Sequence, residues 1–361
     1  MLKILVLGAG AIGCFVGGRL AAAGHQVTLL GRPPLMNKIA TDGLKLCHPS
    51  QPPLTVRPPV ITSLAELSAA EVPEFILLTV KASGTAPAIE QLAHASLSLD
   101  QSYIVSLQNG VGNEEQLAAA LGWQRVIAGT VTIPIGVPDL GVIEVSKDKG
   151  GLGLASLQEN QPTARLAEAL NQAGLITPIY SDYRAMKWSK LLLNIINNAT
   201  AAILNWPPAK IIEQPELFEM EIEALQEGLA VMRAQGIQAV KLPGYPVDWL
   251  ARLIRASWLP PDLKRAILRP FLLSGRGSKM PSLQIDLEAG RTDSEVEVLN
   301  GAIVRAGEKT GVATPVNRAM YATLSKIVAG HLNWADCENR PERLLSLVQA
   351  ERKGSKKMIN P

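Results

Sequence analysis

The sequence predicts an α/β N-terminal domain with a mainly parallel sheet, followed by an all-α C-terminal domain. Short continuous apolar runs alternate with helix-like segments in the first half of the chain, as expected for strands that are buried on both faces of a parallel sheet. A glycine-rich turn follows the first of these runs directly. From Asp182 onward the pattern is helical almost to the end. We therefore place the domains at residues 1–181 and 182–361.

The N-terminal segment has the order strand, glycine turn, helix and strand. Residues 2–7 are apolar, GAGAIG occupies residues 8–13, and a second apolar run covers residues 26–30. This order is the context in which a G-x-G-x-x-G motif indicates a dinucleotide-binding Rossmann domain. The alternative is a glycine-rich turn that binds no ligand.

The three glycines of the motif have different structural roles. Gly8 allows the sharp turn, Gly10 lets a pyrophosphate approach the backbone, and Gly13 lets the helix pack against its strand. The phosphates would bind the unpaired N–H groups at the start of the helix, which includes Ala11 and Ile12. The sequence therefore predicts that a dinucleotide binds here.

The end of the second strand indicates which nicotinamide cofactor is bound. NAD enzymes usually carry Asp or Glu here, which binds the ribose 2′-hydroxyl. This chain has Leu30, Gly31 and Arg32 instead. A guanidinium can hold a 2′-phosphate, so the sequence favours NADP(H). The alternative is that Arg32 is a surface residue without a ligand.

Two further strand ends carry polar residues that are candidates for ligand binding. The apolar run at residues 75–80 ends at Lys81, and the run at residues 103–107 is followed closely by Asn109. Ligands of open α/β sheets bind outside the carboxyl ends of the strands. The alternatives are a solvated loop lysine for Lys81 and a turn residue before glycine for Asn109.

The remaining pattern predicts smaller elements. We expect a short helix and then a hairpin or loop within residues 33–60, and two short strands within residues 142–154. A helix at residues 163–172 and a strand at residues 177–180 should close the first domain. Residues 242–281 are rich in proline and are interpreted as a loop-rich insertion between helices.

The C-terminal domain begins with an apolar segment that carries a polar stripe. Lys190, Asn194 and Asn198 are spaced i, i+4 and i+8, so one helix would present them on one face. A helix that is apolar nearly all round is buried, so the stripe should face a crevice. An ammonium and two carboxamides there could hold an oxygen-rich molecule and move a proton. The alternative is the solvent edge of an amphipathic helix, widened by Asn197.

Composition restricts the class of protein further. The chain has 361 residues, is 47% hydrophobic and has a net charge of +3, which suits two domains and argues against nucleic-acid binding. No apolar segment is long enough to cross a membrane. Cys14, Cys47 and Cys337 lie far apart, which fits a reducing cytoplasm. The histidines have no ligand spacing, so no metal site is expected. A homodimer is compatible with these features.

Motifs along nearly the whole chain resemble those of the ketopantoate reductase (2-dehydropantoate 2-reductase) family. The lysine–asparagine segment followed about a hundred residues later by the glutamate segment is the most specific part. The resemblance implies a Rossmann domain, a helical domain and an active site in the cleft between them. The motifs are GAGAIG at 8–13, LLTVKAS at 77–83, SLQNGVG at 106–112, KWSKLLLNIINN at 187–198 and SEVEVLNG at 294–301.

The resemblance implies roles on the substrate side. Lys190 would be the general acid that protonates the carbonyl oxygen, and Glu295 would orient the substrate hydroxyl and help to position Lys190. Asn194 and Asn198 would bind the hydroxyl and oxo groups of the substrate. Ser282 would contact its carboxylate.

The resemblance also implies the cofactor and the reaction. Asn109 would lie between cofactor and substrate, while Lys81 and Arg32 would reach the phosphate and ribose of NADP. The expected reaction is NADPH-dependent reduction of 2-dehydropantoate to (R)-pantoate, on the pathway to pantothenate and coenzyme A. The alternatives are a reductase of the same fold for another 2-oxo acid or ketone, and a nucleotide-sensing protein that catalyses nothing.

Departures from the family pattern are confined to the substrate side. The segment between Asp286 and Glu295 is one residue longer than in the best-known members, and residues 242–281 also look longer. Lys279 stands three residues before Ser282, where those members often have Asn. These differences bear on the identity of the substrate rather than on the type of reaction.

Overall fold

The structure, a computed structural model, divides by its internal contacts into two units. The boundary falls inside helix α6 (Tyr183–Ile195). The assignment of cofactor binding to residues 1–181 and of catalysis to residues 182–361 stays a prediction. The first unit comprises Met1–Lys187 and Leu242–Tyr245, and the second comprises Trp188–Lys241 and the chain from Pro246 onward. The structure describes residues 1–68, 72–95, 98–256, 258–274 and 280–359.

The first unit is built on a larger and a smaller sheet, and the larger one is mainly parallel, as predicted. The larger sheet has the order β12-β11-β8-β7-β6-β1-β2-β5, in which β11 runs antiparallel to β8. The smaller sheet has the order β4-β3-β10-β9. The strands are β1 (Lys3–Leu7), β2 (Gln26–Leu30), β3 (Leu44–His48), β4 (Gln51–Val56), β5 (Val60–Ile61), β6 (Phe75–Leu78), β7 (Tyr103–Ser106), β8 (Val126–Val131), β9 (Ile135–Asp139), β10 (Val142–Val145), β11 (Leu152–Ser156) and β12 (Ile179–Tyr180).

Both faces of the central part of the larger sheet are buried, which explains why its central strands are apolar without alternation. In β1, Ile4 and Val6 belong to one hydrophobic cluster, while Leu5 and Leu7 belong to another. Successive side chains of a strand point to opposite faces, so a strand covered on both sides needs apolar residues at every position. The helices of this unit before α6 are α1 (Ala11–Ala22), α2 (Pro33–Asp42), α3 (Thr85–Ala93), α4 (Asn113–Leu121) and α5 (Thr163–Gln172).

The second unit is helical, as predicted for the C-terminal part of the chain. Within the described ranges, no helix is both long and apolar enough to span a lipid bilayer. In addition to the end of α6, its helices are α7 (Asn198–Leu204), α8 (Pro208–Glu213), α9 (Pro215–Ala234), α10 (Val247–Arg255), α11 (Pro261–Ser274), α12 (Ser282–Glu288), α13 (Asn300–Thr310), α14 (Pro315–Val328) and α15 (Pro341–Ile359).

The prediction of a loop-rich insertion at residues 242–281 is wrong, because this segment contains α10 and α11. Its prolines lie mostly at helix starts: Pro246 is the residue before α10, and Pro261 is the first residue of α11. Proline is favoured in the first turn, where its missing N–H has no intrahelical partner in any case. Pro270 lies inside α11. Proline content alone therefore did not distinguish a loop from a pair of short helices.

The prediction that one helix carries Lys190, Asn194 and Asn198 is also wrong. Helix α6 ends at Ile195, and α7 starts at Asn198 after a residue in the left-handed region, Asn197 (φ 54°). Asparagine tolerates this conformation better than most residues. Lys190 and Asn194 share a face of α6, whereas Asn198 belongs to the next helix.

A buried carboxylate on α9 stabilises this break. Glu221 accepts the backbone N–H of Asn197 at 2.8 Å and the hydroxyl of Thr200 at 2.5 Å. A carboxylate at the start of a helix satisfies unpaired N–H groups and interacts favourably with the helix dipole. Glu221 therefore holds the first turn of α7, and with it Asn198, in a fixed place.

Candidate functional site

The glycine turn between β1 and α1 is closely packed at its first and third glycines. Gly8 has a φ of 104°, and a Cβ there would lie 2.7 Å from the backbone nitrogen of Val80. A Cβ at Gly13 would lie 2.6 Å from Oγ1 of Thr79. Both positions therefore require glycine for the fold itself, as the motif predicts.

The second glycine has a different environment. Gly10 is exposed, and the nearest atom that a Cβ would meet is the carbonyl oxygen of Gly8 at 3.9 Å. Gly10 precedes α1 and supplies no side-chain cap. The first N–H groups of a helix, here those from Ala11 to Gly13, have no partner inside the helix. This combination of open space, unpaired donors and a positive dipole end fits the pyrophosphate of a dinucleotide.

Arg32, Lys81 and Asn109 lie at the carboxyl ends of neighbouring strands. They follow β2, β6 and β7, and the strands stand in the order β7-β6-β1-β2 with the glycine turn after β1. Arg32 is exposed, whereas Lys81 and Asn109 are half-buried. The predicted cofactor residues thus share one edge of the larger sheet.

The position directly after β2 is closely packed and is occupied by glycine. A Cβ at Gly31 would lie 2.9 Å from Cε of Met36 and 3.0 Å from Cβ of Ala9. Packing against α2 therefore favours glycine here, and Arg32 is the first side chain that can extend from the strand end.

Buried polar side chains join the loops that carry Lys81 and Asn109. Nε2 of Gln108 donates to the carbonyl oxygen of Lys81 at 3.2 Å and to Oγ1 of Thr85 at 2.8 Å. Nδ2 of Asn113 donates to the carbonyl oxygen of Asn109 at 2.9 Å. These bonds fix the two loops relative to each other.

In the second unit, the lysine and asparagines of the predicted polar stripe are buried or half-buried. Lys190 is half-buried on α6, and Asn194, one turn later, is 8% exposed. Asn197 and Asn198 are each 1% exposed. The alternative of a solvent edge widened by Asn197 therefore does not fit the structure. Lys279, singled out in the sequence, lies outside the described residues.

Asn198 and Ser282 come together across α7 and α12. Nδ2 of Asn198 donates to Oγ of Ser282 at 3.4 Å, and Oδ1 of Asn198 accepts the N–H of Leu283 at 3.2 Å. Ser282 itself is exposed. Asn198 therefore caps the start of α12 and orients the serine hydroxyl, a structural task that the sequence did not reveal.

Glu295 lies on a short turn and differs from its neighbour Glu297. The turn is opened by Ser294, whose Oγ accepts the N–H of Val296 at 3.3 Å. Glu295 is half-buried, whereas Glu297 is exposed and accepts the hydroxyl of Tyr321 at 2.6 Å. Glu297 thus belongs to a surface cluster, and Glu295 does not share its environment.

A second buried carboxylate stabilises the helical unit. Glu227 on α9 accepts the backbone N–H groups of Val316 and Asn317 at 2.8 and 2.9 Å, and Nδ2 of Asn317 at 2.7 Å. Burial outweighs these donors and raises the pKa of Glu227 to about 7. Glu227 caps the start of α14. It was not among the site residues predicted from the sequence.

Among the described residues, no set of three or more His, Cys, Asp or Glu side chains could hold a metal ion. The polar groups at the sheet edge are instead amides, hydroxyls, cations and backbone N–H groups. Such groups suit an anionic organic ligand, which agrees with the open space beside Gly10.

This chain is similar to proteins of one known family along most of its length. Residues 4–158 match the family model described as ketopantoate reductase PanE/ApbA, and residues 182–328 match the model of its C-terminal part. The chain belongs to the ketopantoate reductase family. Two relatives named 2-dehydropantoate 2-reductase, from Pyrococcus horikoshii and Archaeoglobus fulgidus, are 28% and 26% identical. The alignments cover 89% and 91% of this chain and 96% and 98% of the relatives.

Solved structures show the same fold. The ketopantoate reductase family member from Ralstonia eutropha has a TM-score of 0.75 and 28% identity, over 91% of this chain and 99% of that chain. D-Mandelate dehydrogenase with NADH and anilino(oxo)acetate has a TM-score of 0.74 and 20% identity, over the same shares. At that identity the second likeness concerns the fold alone.

Proposed function

We propose that this chain is an NADPH-dependent oxidoreductase that reduces 2-dehydropantoate to (R)-pantoate, on the route to pantothenate and coenzyme A. The observation that carries the proposal is the match to both ketopantoate reductase models, together with relatives named for this reaction along almost their whole length. The glycine turn and the polar strand ends supply a fitting place for the cofactor. The remaining assignments of residues follow from that match.

We assign cofactor binding to the edge formed by the glycine turn, Arg32, Lys81 and Asn109. Bound NADPH supplies the hydride that the carbonyl carbon receives. The N–H groups at the start of α1 would hold the pyrophosphate, and Arg32 would pair with the 2′-phosphate. The lack of an acidic residue at Gly31 and Arg32 supports the preference for NADPH, because no carboxylate stands there to select NAD.

We assign proton transfer to Lys190. Negative charge develops on the substrate oxygen during reduction of a ketone, so a cationic proton donor at that oxygen lowers the barrier. The ammonium of Lys190 would supply this proton, and Glu295 would orient the substrate hydroxyl and help to place the lysine. The product gains a hydride at carbon and a proton at oxygen.

We assign the rest of the substrate to three polar residues. Asn194 and Asn198 would bind the hydroxyl and oxo groups, and Ser282 would bind the carboxylate. The contact between Asn198 and Ser282 supports their grouping. Because Oδ1 of Asn198 accepts from Leu283, its amide group is held in one orientation, with Nδ2 directed toward Oγ of Ser282.

A different 2-oxo acid or ketone is the second candidate substrate. It is favoured by the departures from the family pattern at Lys279 and in the longer segment 242–281, all of which concern the substrate side. A nucleotide sensor without activity would have no need of a proton donor such as Lys190. We further propose a cytoplasmic location, and we assign neither a nucleic-acid nor a membrane partner. A homodimer is compatible with the proposal.

The replacement Lys190→Ala tests the assigned chemistry. Loss of a general acid typically costs a factor of about 10²–10⁴ in kcat, whereas NADPH binding should be retained. The exposed lysine Lys326 on α14 provides a matched control in the same unit, and Lys326→Ala should leave kcat unchanged. Undiminished turnover in Lys190→Ala would refute the role of this lysine.

A further inference from the structure

Lys187 and Glu114 form a buried ion pair within the first unit. Their side chains are 3% and 1% exposed, and Nζ of Lys187 lies 2.8 Å from Oε1 of Glu114. The two opposite charges therefore attract each other directly in a buried place. Removal of both charges from water is costly, and this cost calls for an explanation.

The ammonium of Lys187 also donates hydrogen bonds to two backbone carbonyl groups. Nζ of Lys187 donates to the carbonyl oxygen of Gln108 at 2.6 Å and to that of Gly129 at 3.2 Å. Gln108 lies just after β7, Gly129 lies in β8, and Glu114 lies in the first turn of α4. The lysine thus connects the segment after β7 and a residue within the neighbouring strand β8 to the start of a helix.

The segment held in this way carries a predicted cofactor residue. Asn109 follows Gln108 directly, and the side chain of Gln108 donates to the carbonyl oxygen of Lys81 and to Thr85. A shift of the Gln108 backbone would therefore move Asn109 and also release the loop of Lys81. Both side chains of the ion pair are buried, so they are not exposed at the ligand-binding edge.

Energetics argues against a purely stabilising role. Replacing a buried ion pair with well-packed apolar residues is often neutral or stabilising, whereas removal of one partner leaves an unpaired charge and is strongly destabilising. Stability alone therefore does not account for the two charges. The ammonium of Lys187 also donates hydrogen bonds to Gln108 and Gly129, which an apolar side chain cannot do.

We infer that Lys187 and Glu114 are positioning residues that hold the loop of Asn109 and Lys81 in the geometry required for cofactor binding and hydride transfer. Neither residue is assigned a contact with substrate or cofactor. The inference deepens the proposed function and rests on it for the identity of the cofactor.

The double replacement Lys187→Met with Glu114→Met tests the inference, because it removes both charges together and keeps apolar side chains in their place. We expect a folded protein with a moderately lower melting temperature, because the carbonyl groups of Gln108 and Gly129 lose a donor. NADPH affinity should be weakened by about tenfold, and kcat with ketopantoate should be lowered by up to about 10²-fold, as for a misplaced reactive group. NADPH affinity is measured by fluorescence titration without substrate. A stable double variant with unchanged affinity and unchanged kcat would overturn the inference.

A surface pair provides the matched control. Arg165 and Glu74 form an ion pair, with Glu74 just before β6 at the opposite edge of the larger sheet. Arg165→Met with Glu74→Met should change neither NADPH affinity nor kcat. If the buried double variant fails to fold, Glu114→Gln retains the shape while weakening the hold on Lys187. It should show a smaller loss of NADPH affinity, and an unchanged affinity would contradict the inference.

The readouts separate the inference from the proposed function. If the unmodified chain binds NADPH but does not reduce ketopantoate, the proposed substrate is wrong. The NADPH affinities of the variants then still test the role of the ion pair. If the unmodified chain does not bind NADPH, the cofactor assignment fails and the inference is overturned with it.

Discussion

The replacement Gly10→Ala separates the fold of the glycine turn from its function. Gly10 has φ −96° and ψ −157°, an extended conformation that is open to other residues, and a Cβ would approach only one atom, at 3.9 Å. An alanine at a compatible position stabilises a protein by about 0.4–1 kcal/mol, mainly by restricting the unfolded chain. The free energy of unfolding should therefore stay equal or rise slightly.

The same methyl group would occupy the space that a pyrophosphate needs. We expect the dissociation constant of NADPH to rise at least about tenfold, which corresponds to about 1.4 kcal/mol of binding free energy. Thermal unfolding without ligand and a fluorescence titration with NADPH measure the two effects separately. Unchanged affinity in a folded Gly10→Ala variant would refute the assignment of the pyrophosphate to this turn.

Gly13→Ala provides the contrast. Its Cβ would lie 2.6 Å from Oγ1 of Thr79 and 2.7 Å from the carbonyl oxygen of Gly8. Overpacking of this kind costs about 1–3 kcal/mol of stability. The Gly13 variant should therefore lose stability before any ligand is added, whereas the Gly10 variant should not. Equal stability of both variants would contradict the packing argument.

Further replacements test other parts of the account. Arg32→Ala should weaken the binding of NADPH at least about tenfold and the binding of NADH little. Equal losses of affinity in parallel titrations would show that Arg32 does not recognise the 2′-phosphate. Asn198→Ala should cost about 1 kcal/mol of stability, because the N–H of Leu283 loses its cap, and should raise KM; a stable variant with unchanged KM would contradict both roles. The pKa of Glu227 is raised from 4.5 to about 7, so the folded state retains a proton that the unfolded state releases. Its stabilising contribution is present below pH 4.5 and is lost as the pH rises to about 7, up to about 3 kcal/mol. Chemical denaturation of Glu227→Gln beside the unmodified chain should show this loss as a pH-dependent difference, and a constant difference would contradict it.

Local periodicity predicted the central strands of the larger sheet. The continuous apolar runs around β1, β6 and β7 fitted strands covered on both faces, and the residues after them then fell at one edge. This inference works because parallel strands share a direction, so sequence position alone assigns their carboxyl ends to the same side.

The break between α6 and α7 could not be predicted in the same way. Glu221 is far from Asn197 in sequence, and nothing near Asn197 shows that a carboxylate on another helix will cap the new helix there. Similarly, Lys187 and Lys190 occur in one motif, but only tertiary packing shows that Lys187 is buried against Glu114. The helix break and the buried ion pair both depend on contacts between segments that are distant in sequence. Local sequence patterns do not reveal such contacts.

The most direct test of the central claim is the rate of NADPH oxidation, followed by its absorbance, in the presence of ketopantoate. NADH and a small panel of other 2-oxo acids serve as parallel substrates. The account predicts fast turnover with ketopantoate and NADPH, and much slower turnover with the other combinations. Binding of NADPH without turnover of ketopantoate, or faster turnover of another oxo acid, would contradict it.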